Sequence, residues 1–139
     1  MKRTFLFLLV AGALAAAPAA SGETIVGTPG DDVLEGTEHR DFIYGRGGDD
    51  ALSGKGGSDF LFGARGSDAL SGDDGPDFLF GGPGSDALDS GAGPDVLHAG
   101  RGADSLEGGA GNDLLRVGAD DGAHDVADCG PGDHDRAVI

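Results

Sequence analysis

The 139-residue sequence is poor in the residues that usually build a small core or a disulfide framework. It has no tryptophan, one tyrosine, one methionine and one cysteine. The single cysteine, Cys129, excludes an internal disulfide. A chain of this size without disulfides has difficulty burying a sufficient core, so something other than packing must contribute to its cohesion.

Basic residues are also scarce, since 9 Lys and Arg face 25 Asp and Glu and give a formal net charge of -16. Nucleic acids and anionic membrane surfaces are bound through Lys and Arg, so neither is expected as a partner. Two interpretations of the acidity stay open: a soluble chain that repels itself, or a protein that collects cations. Composition does not separate them, whereas the positions of the acids do.

Long apolar runs are missing after the first residues, which are typical of an export signal. Met1, Lys2 and Arg3 form a basic start, an apolar run covers 5–17, and small residues follow at 17–19. This pattern predicts a signal peptide over 1–19, with cleavage after Ala19 or within the next three residues. The run is shorter than the roughly 20 residues that span a bilayer, so no membrane insertion is expected. Cleavage would take the net charge to -18, and the predicted location is secreted and extracellular.

Glycine and aspartate recur instead at every ninth residue. From Gly27 to Arg116 the chain divides into ten nine-residue units without an insertion or a deletion. Position four is Gly in nine units, with His39 as the exception, and position eight is Leu in nine, with Ile43 as the exception. Position six is Asp in every unit: Asp32, Asp41, Asp50, Asp59, Asp68, Asp77, Asp86, Asp95, Asp104 and Asp113.

Other Gly-rich architectures do not explain this frame. Collagen needs Gly at every third residue. A disordered linker has no reason to place one aliphatic residue in every nine. The Gly content and the absence of a 3.6-residue apolar period exclude an amphipathic helix.

The unit is similar to the nonapeptide Gly-Gly-x-Gly-x-Asp-x-aliphatic-x of the RTX (haemolysin-type calcium-binding repeat) family. The stretch 54–62, which reads Gly-Lys-Gly-Gly-Ser-Asp-Phe-Leu-Phe, shows the match. The resemblance covers residues 27–116. It implies a bacterial calcium-binding protein that folds as a parallel β-roll, with two nonapeptides per coil and calcium in the turns.

The residues favour the same fold independently. Gly at positions one and four predicts positive-φ conformations in a six-residue turn. Positions seven to nine then form a short strand whose position eight points into the core. We therefore expect an all-β parallel β-roll, a β-solenoid with two short strands per 18-residue coil and about five coils, over residues 20–116. Ile25 falls in the same frame, so residues 24–26 are expected to form an opening half-unit.

Stacked coils place equivalent aspartates about 4.8 Å apart, the usual spacing of strands. Like charges at that distance repel by roughly 1 kcal/mol or more per neighbour. Calcium resolves the repulsion, because it takes six to eight oxygen ligands from carboxylates and backbone carbonyls. The ten aspartates, which are the predicted metal ligands, form a first row (Asp32, Asp50, Asp68, Asp86 and Asp104) and a second row (Asp41, Asp59, Asp77, Asp95 and Asp113).

Pairing neighbours within each row gives up to about eight Ca²⁺ ions, in the gaps 32–50, 50–68, 68–86, 86–104, 41–59, 59–77, 77–95 and 95–113. The 41–59 gap departs most from the pattern because His39 and Arg40 occupy its turn. Ser90 and Ala99 at position one are milder departures. Magnesium demands stricter octahedral geometry, and zinc would need His or Cys in register. The alternative role for a single Asp is an Asx-turn.

Positions seven and nine repeat every 18 residues rather than every nine. One set of strands is aromatic at these positions and the other is small and polar, which gives the roll two unlike outer faces. The aromatic face is either a set of ladders that stabilise their own sheet, a surface for a protein partner or for self-association, or a surface covered by the tail through Val126, Val138 and Ile139. The candidate partner residues are Phe42, Tyr44, Phe60, Phe62, Phe78 and Phe80.

The frame slips after Arg116, since Asp113 to Asp125 is twelve residues and Asp125 to Asp135 is ten. Residues 117–139 are therefore predicted to be a degenerate repeat that caps the solenoid. Cys129 in this tail is a free thiol, an intermolecular disulfide partner or a buried inert group.

No nucleophile elbow, zinc-protease motif or Walker loop is present, so the chain is not expected to be an enzyme and no catalytic residue is assigned. The predicted function is a secreted calcium-binding protein that folds on binding the ion and has a structural or adhesive role. The alternative is a calcium-switched module that binds a partner through its aromatic face.

Overall fold

The computed structural model describes residues 21–118 and 122–138, and within these ranges all regular structure is β-strand. The predicted signal peptide over 1–19 lies outside the described residues, as does Ile139. No helix in the described part of the chain is long and apolar enough to cross a membrane.

The strands alternate between two parallel sheets. The seven-stranded sheet has the order β1-β3-β5-β7-β9-β11-β13 and the six-stranded sheet the order β12-β10-β8-β6-β4-β2. The bounds are β1 Thr24–Val26, β2 Val33–Glu35, β3 Phe42–Gly47, β4 Ala51–Ser53, β5 Phe60–Arg65, β6 Ala69–Ser71, β7 Phe78–Pro83, β8 Ala87–Asp89, β9 Val96–Arg101, β10 Ser105–Glu107, β11 Leu114–Arg116, β12 Val126–Asp128 and β13 Arg136–Val138.

Neighbouring strands pair in a register of 18 residues, as in Leu34 with Leu52 and Leu61 with Leu79. This confirms the parallel β-roll and the 18-residue coil. Thirteen strands at two per coil make about six coils, not the predicted five. The opening half-unit is confirmed, because Ile25 pairs with Ile43 and is 7% exposed.

The extra coil comes from the tail, whose strands stay in register although its turns are longer. β12 pairs with β10 and β13 pairs with β11. In the nine-residue frame the aspartate lies five residues after the start of the turn. Asp125 lies three residues beyond that position in the turn that begins at Val117, and Asp135 lies one residue beyond it in the turn that begins at Cys129. The described tail strands therefore stack on the end of the roll, and neither Val126 nor Val138 covers the aromatic face, while Ile139 lies outside the described residues.

Position eight of every unit points into the core between the sheets, and each sheet contributes one narrow column of these side chains. Ile43, Leu61, Leu79, Leu97 and Leu115 are fully buried. In the last coil Ala127 and Ala137 pair with Leu106 and Leu115, so smaller side chains close the end of the core. Such a narrow column supplies little apolar burial for each coil, which puts weight on the contacts in the turns.

One sheet extends further than expected. β3, β5, β7 and β9 each run for six residues, whereas three-residue strands were predicted. The additional pairs, such as Arg46 with Ala64, lie in the first part of the following turn. The two edges of the roll therefore differ, because this extension occurs only after strands of the aromatic face.

Candidate metal centre

The position-six aspartates lie in two rows inside the turns, as predicted. Nine of the ten are 2% exposed or less, and only Asp32, at the first turn, is half-buried. Burial of so many carboxylates is unusual, since aspartate is almost never fully buried without a partner. Each row therefore needs a specific compensation.

One oxygen of each carboxylate after Asp32 is compensated by the backbone of the neighbouring coil. The amide of Asp59 donates a hydrogen bond of 2.7 Å to Oδ1 of Asp77, and the amide of Asp77 donates one of 2.7 Å to Oδ1 of Asp95. The first row repeats this pattern, for example from the Asp68 amide to Asp86 Oδ1 at 2.9 Å. The aspartates thus link successive coils directly, a contact that the repeat pattern did not predict.

The other oxygen has no such partner in most turns. In six units that begin with Gly, the Oδ2 atom is buried and accepts no hydrogen bond within the described structure. We call these the open carboxylates: Asp50, Asp59, Asp68, Asp77, Asp86 and Asp113. A buried polar atom without a partner carries a substantial desolvation cost, so each open carboxylate is a place where a cation would be stabilising.

The glycine at position one leaves space beside each open carboxylate. A Cβ on Gly54 would lie 2.5 Å from Oδ2 of Asp59 and 2.8 Å from the carbonyl oxygen of Gly72 in the next coil. The expectation of a positive φ at position one is wrong, since Gly54 and Gly72 do not have one, whereas Gly57 and Gly75 at position four have φ of 134° and 124°. Position one is therefore glycine because a side chain would fill the space between a carboxylate and a carbonyl.

The electrostatics of the rows reflect the same lack of compensation. Burial raises the pKa of Asp77 to about 7, against the hydrogen bond from Asp59 and with further increase from the neighbouring carboxylates. Burial likewise raises the pKa of Asp59 and Asp86 to about 6. Burial thus favours the protonated form of these carboxyls more than it is favoured in an exposed aspartate.

Asp73 provides a contrast from outside the rows. Burial acts to raise its pKa, but hydroxyl donors from Ser53 at 2.7 Å and Ser71 at 2.9 Å bring the net shift below the usual value. A carboxylate with both oxygens hydrogen-bonded is stable as an anion in this protein. Asp73 is only half-buried, whereas burial is the largest cause of the raised pKa of open carboxylates such as Asp77.

Four units differ from these six at position one or two, although Oδ2 of Asp95 in one of them is also buried without a hydrogen-bond partner in the described structure. Thr28 and Thr37 at position two donate to Oδ2 of Asp32 and Asp41. The Ser90 hydroxyl occupies position one before Asp95 and donates to the Gly108 carbonyl at 2.8 Å. The fourth has buried Ala99 at position one.

Two aspartates that were not predicted as ligands extend the rows by one coil. The amide of Asp104 donates to Oδ1 of Asp125 at 2.9 Å, and the amide of Asp113 donates to Oδ1 of Asp135 at 3.0 Å. The nine-residue frame did not predict these two aspartates because the turns of the tail are longer. The one sequence signal was that an aspartate recurs before each apolar pair of the tail, at 125 and at 135.

The oxygen ligands available in the turns suit a hard cation that can be coordinated by backbone carbonyls. Within residues 21–118 and 122–138, no three His, Cys, Asp or Glu side chains lie close enough together to hold a metal ion. A site between two coils would therefore combine carboxylate oxygens with carbonyls such as that of Gly72. Calcium accepts this mixture, whereas zinc prefers nitrogen and sulfur ligands.

The aromatic face consists of two columns of stacked rings. Phe42, Phe60 and Phe78 stack with centroids 4.9 and 4.8 Å apart. Tyr44, Phe62 and Phe80 form the second column at 4.8 and 4.9 Å. The structure thus brings all six candidate partner residues together, with ring faces covered by their neighbours and only Tyr44 and Phe78 exposed by more than a third.

Comparisons with known proteins agree with this geometry. A family model for four copies of the RTX calcium-binding nonapeptide repeat matches residues 26–61, 62–97 and 89–122. No curated protein and no solved structure matches the chain. The matched segments cover more than half of the sequence and coincide with the stacked coils, so the chain belongs to the RTX calcium-binding nonapeptide repeat family.

Proposed function

We propose that this calcium-binding β-roll is an exported protein whose coils are held together by Ca²⁺ ions between successive turns, so that folding and calcium binding are one event. Its role is structural or adhesive and does not include catalysis. Export is supported by the basic start, the apolar run and the small residues at 1–19. A predicted number of up to about eight ions follows from the eight gaps between paired aspartates.

The open carboxylates are the observation that carries the proposal. Each combines a buried oxygen without a hydrogen-bond partner, a neighbouring carbonyl and a glycine that leaves space between them. In the absence of a cation, the rows hold like charges one strand spacing apart around a core only one side chain wide. A divalent ion in each gap neutralises the carboxylates and joins the coils with the same contact.

The non-catalytic role is supported by the surface as well as by the absence of known motifs. A shallow depression on the outer face of the six-stranded sheet is lined mainly by Ala51, Ala69, Ala87 and neighbouring small or acidic residues. No histidine, lysine or cysteine lines it. Its polar side chains are Ser71, Ser105, Asp89 and Glu107, so it lacks a histidine that could activate a serine hydroxyl as a nucleophile.

Equilibrium dialysis of the full chain against calcium, followed by metal analysis, tests the binding part of the proposal. We expect several ions per chain in millimolar calcium and far fewer with equimolar magnesium, because magnesium keeps its waters and needs stricter geometry. A chain that takes up one calcium ion or none would contradict the proposal.

A second candidate function is recognition of a protein partner through the aromatic face, after calcium has ordered the roll. The exposed edges of Tyr44 and Phe78 favour it, whereas the mutual stacking of the rings favours a stabilising role within the sheet. The test is binding to cells or extracellular matrix by a variant with Phe60, Phe62, Phe78 and Phe80 changed to Ser. The matched control changes Ala51, Ala69 and Ala87 to Ser on the opposite face.

Recognition requires that the aromatic variant lose binding while it keeps calcium-dependent folding, and that the control variant keep both. Unchanged binding by the aromatic variant would contradict it. A clean monomer in light scattering would count against self-association.

A further inference from the structure

The first turns of the roll differ from the rest in how the aspartate is satisfied. Thr28 donates to Oδ2 of Asp32 from its amide at 2.5 Å and from its hydroxyl at 3.0 Å. Thr37 donates to Oδ2 of Asp41 in the same way, at 2.6 and 3.0 Å. These are the carboxylate oxygens that correspond to the oxygens without partners in the open carboxylates.

The backbone conformation at position two explains why hydrogen bonds to Oδ2 form only in these two of the described turns. Position two has a positive φ in the next four units, at Arg46, Lys55, Ala64 and Asp73, with values from 70° to 83°. Thr28 and Thr37 do not have a positive φ, which β-branched residues strongly disfavour. Their turns place the amide and the hydroxyl against the carboxylate, and both donors fill the space that is open elsewhere.

The last turn of the second row shows the opposite situation. Asp113 is 2% exposed and its Oδ2 atom has no partner in the described structure. A Cβ on Gly108 would lie 2.7 Å from the carbonyl oxygen of Cys129 and 3.0 Å from this Oδ2. Asp135 closes the gap from the next coil through its hydrogen bond to the Asp113 amide.

We infer that the calcium sites are shifted by one coil toward the C-terminus relative to the repeats. Thr28 and Thr37 replace the ion in the gaps 32–50 and 41–59, so Asp32 and Asp41 have a structural role. An additional ion binds between Asp113 and Asp135, at a residue beyond the segments that match the repeat family. The inference rests on the proposed calcium function.

The test is the number of calcium ions bound by the full chain in equilibrium dialysis at saturating calcium, with a circular dichroism spectrum of each variant. D59N/D68N is the reference, since it changes one open carboxylate in each row, and it is expected to lose three ions, from the gaps 59–77, 50–68 and 68–86. D32N/D41N changes the corresponding pair at the threonine-closed turns and is expected to lose none. D135N is expected to lose one ion, whereas its control D133N, an exposed neighbour in the same turn, keeps all of them.

Loss of two ions from D32N/D41N, or an unchanged number in a folded D135N, would overturn the shift. The D32N/D41N result decides the N-terminal half whether or not D135N folds. A wild-type chain that binds no calcium would instead contradict the proposed function itself, so the two failures are distinguishable.

Discussion

Each position-six aspartate uses its two carboxylate oxygens differently. Oδ1 accepts the amide of the previous coil, and in the open carboxylates Oδ2 lies beside a glycine and a carbonyl without a hydrogen-bond donor. The first contact fixes the register between coils. The second oxygen carries a negative charge that a cation, a proton or a hydrogen-bond donor such as Thr28 can compensate.

Protonation of the open carboxylates is therefore expected to stabilise the fold in part when calcium is removed. An unfolded aspartate has a pKa near 3.9, whereas burial raises the pKa of Asp77 in the folded chain to about 7. Between these values the folded state binds more protons than the unfolded state, so its stability falls as pH rises. In excess chelator, circular dichroism should show more β-structure at pH 4.5 than at pH 7.5, and calcium should remove most of the difference. Equal β-structure in the chelated chain at both pH values would contradict this account.

Glycine at position one beside an open carboxylate is expected to resist substitution for a steric reason, although Ser90 and Ala99 occupy position one in two other units. Gly54→Ala places a methyl group 2.5 Å from Asp59 Oδ2, and overpacking of this kind costs about 1–3 kcal/mol. Urea denaturation in saturating calcium measures the loss. Gly47→Ala is the matched control, because its Cβ would meet its nearest neighbour, the Arg65 carbonyl oxygen, at 3.7 Å and should change stability little. Equal effects at the two positions would contradict the steric reason.

At the scale of elements, the two faces of the roll contribute unequally to its cohesion. β3, β5 and β7 carry aromatic side chains that stack from strand to strand, whereas β4, β6 and β8 present alanine and small polar side chains. Stacked aromatic pairs contribute about 0.5–1.5 kcal/mol each beyond the burial of their area. The seven-stranded sheet is thus expected to be the more stable of the two.

The stacking predicts a difference between two substitutions of the same kind. Phe60 has a ring on both sides, at 4.9 and 4.8 Å, while Phe78 stacks on Phe60 and borders Val96. Phe60→Leu should therefore destabilise the calcium-bound chain by about 0.5–1.5 kcal/mol more than Phe78→Leu, as measured by urea denaturation. Equal losses would contradict a contribution from the second stacked ring.

The elements also show how far the sequence could predict the fold. A nine-residue frame with one aliphatic residue was enough to place β2 to β11, the core column and the 18-residue register. The strands of the tail could not be placed, because one of their turns has three additional residues and the other has one, which breaks the frame. Asp125 and Asp135 nevertheless continue the two rows of aspartates. The two hydrogen-bond states of the carboxylates could not be predicted either, since they depend on whether position two, as at Thr28, has a positive φ.

At the scale of the whole molecule, the roll joins a narrow core to two rows of acidic turns in a chain with a net charge of -16. The coils contact only their neighbours, so the loss of the ions is expected to weaken every interface of the stack rather than a single site. This is the physical basis for coupling calcium binding to folding. The calcium concentration is therefore expected to control the state of the protein.

Circular dichroism of the full chain at pH 7.5, with millimolar calcium and with excess chelator, tests the coupling most directly. The account predicts a β-rich spectrum in calcium and a spectrum of largely disordered chain in chelator, with recovery when calcium is restored. The same β-rich spectrum in both conditions would contradict it, because the coils would then hold together without the ions.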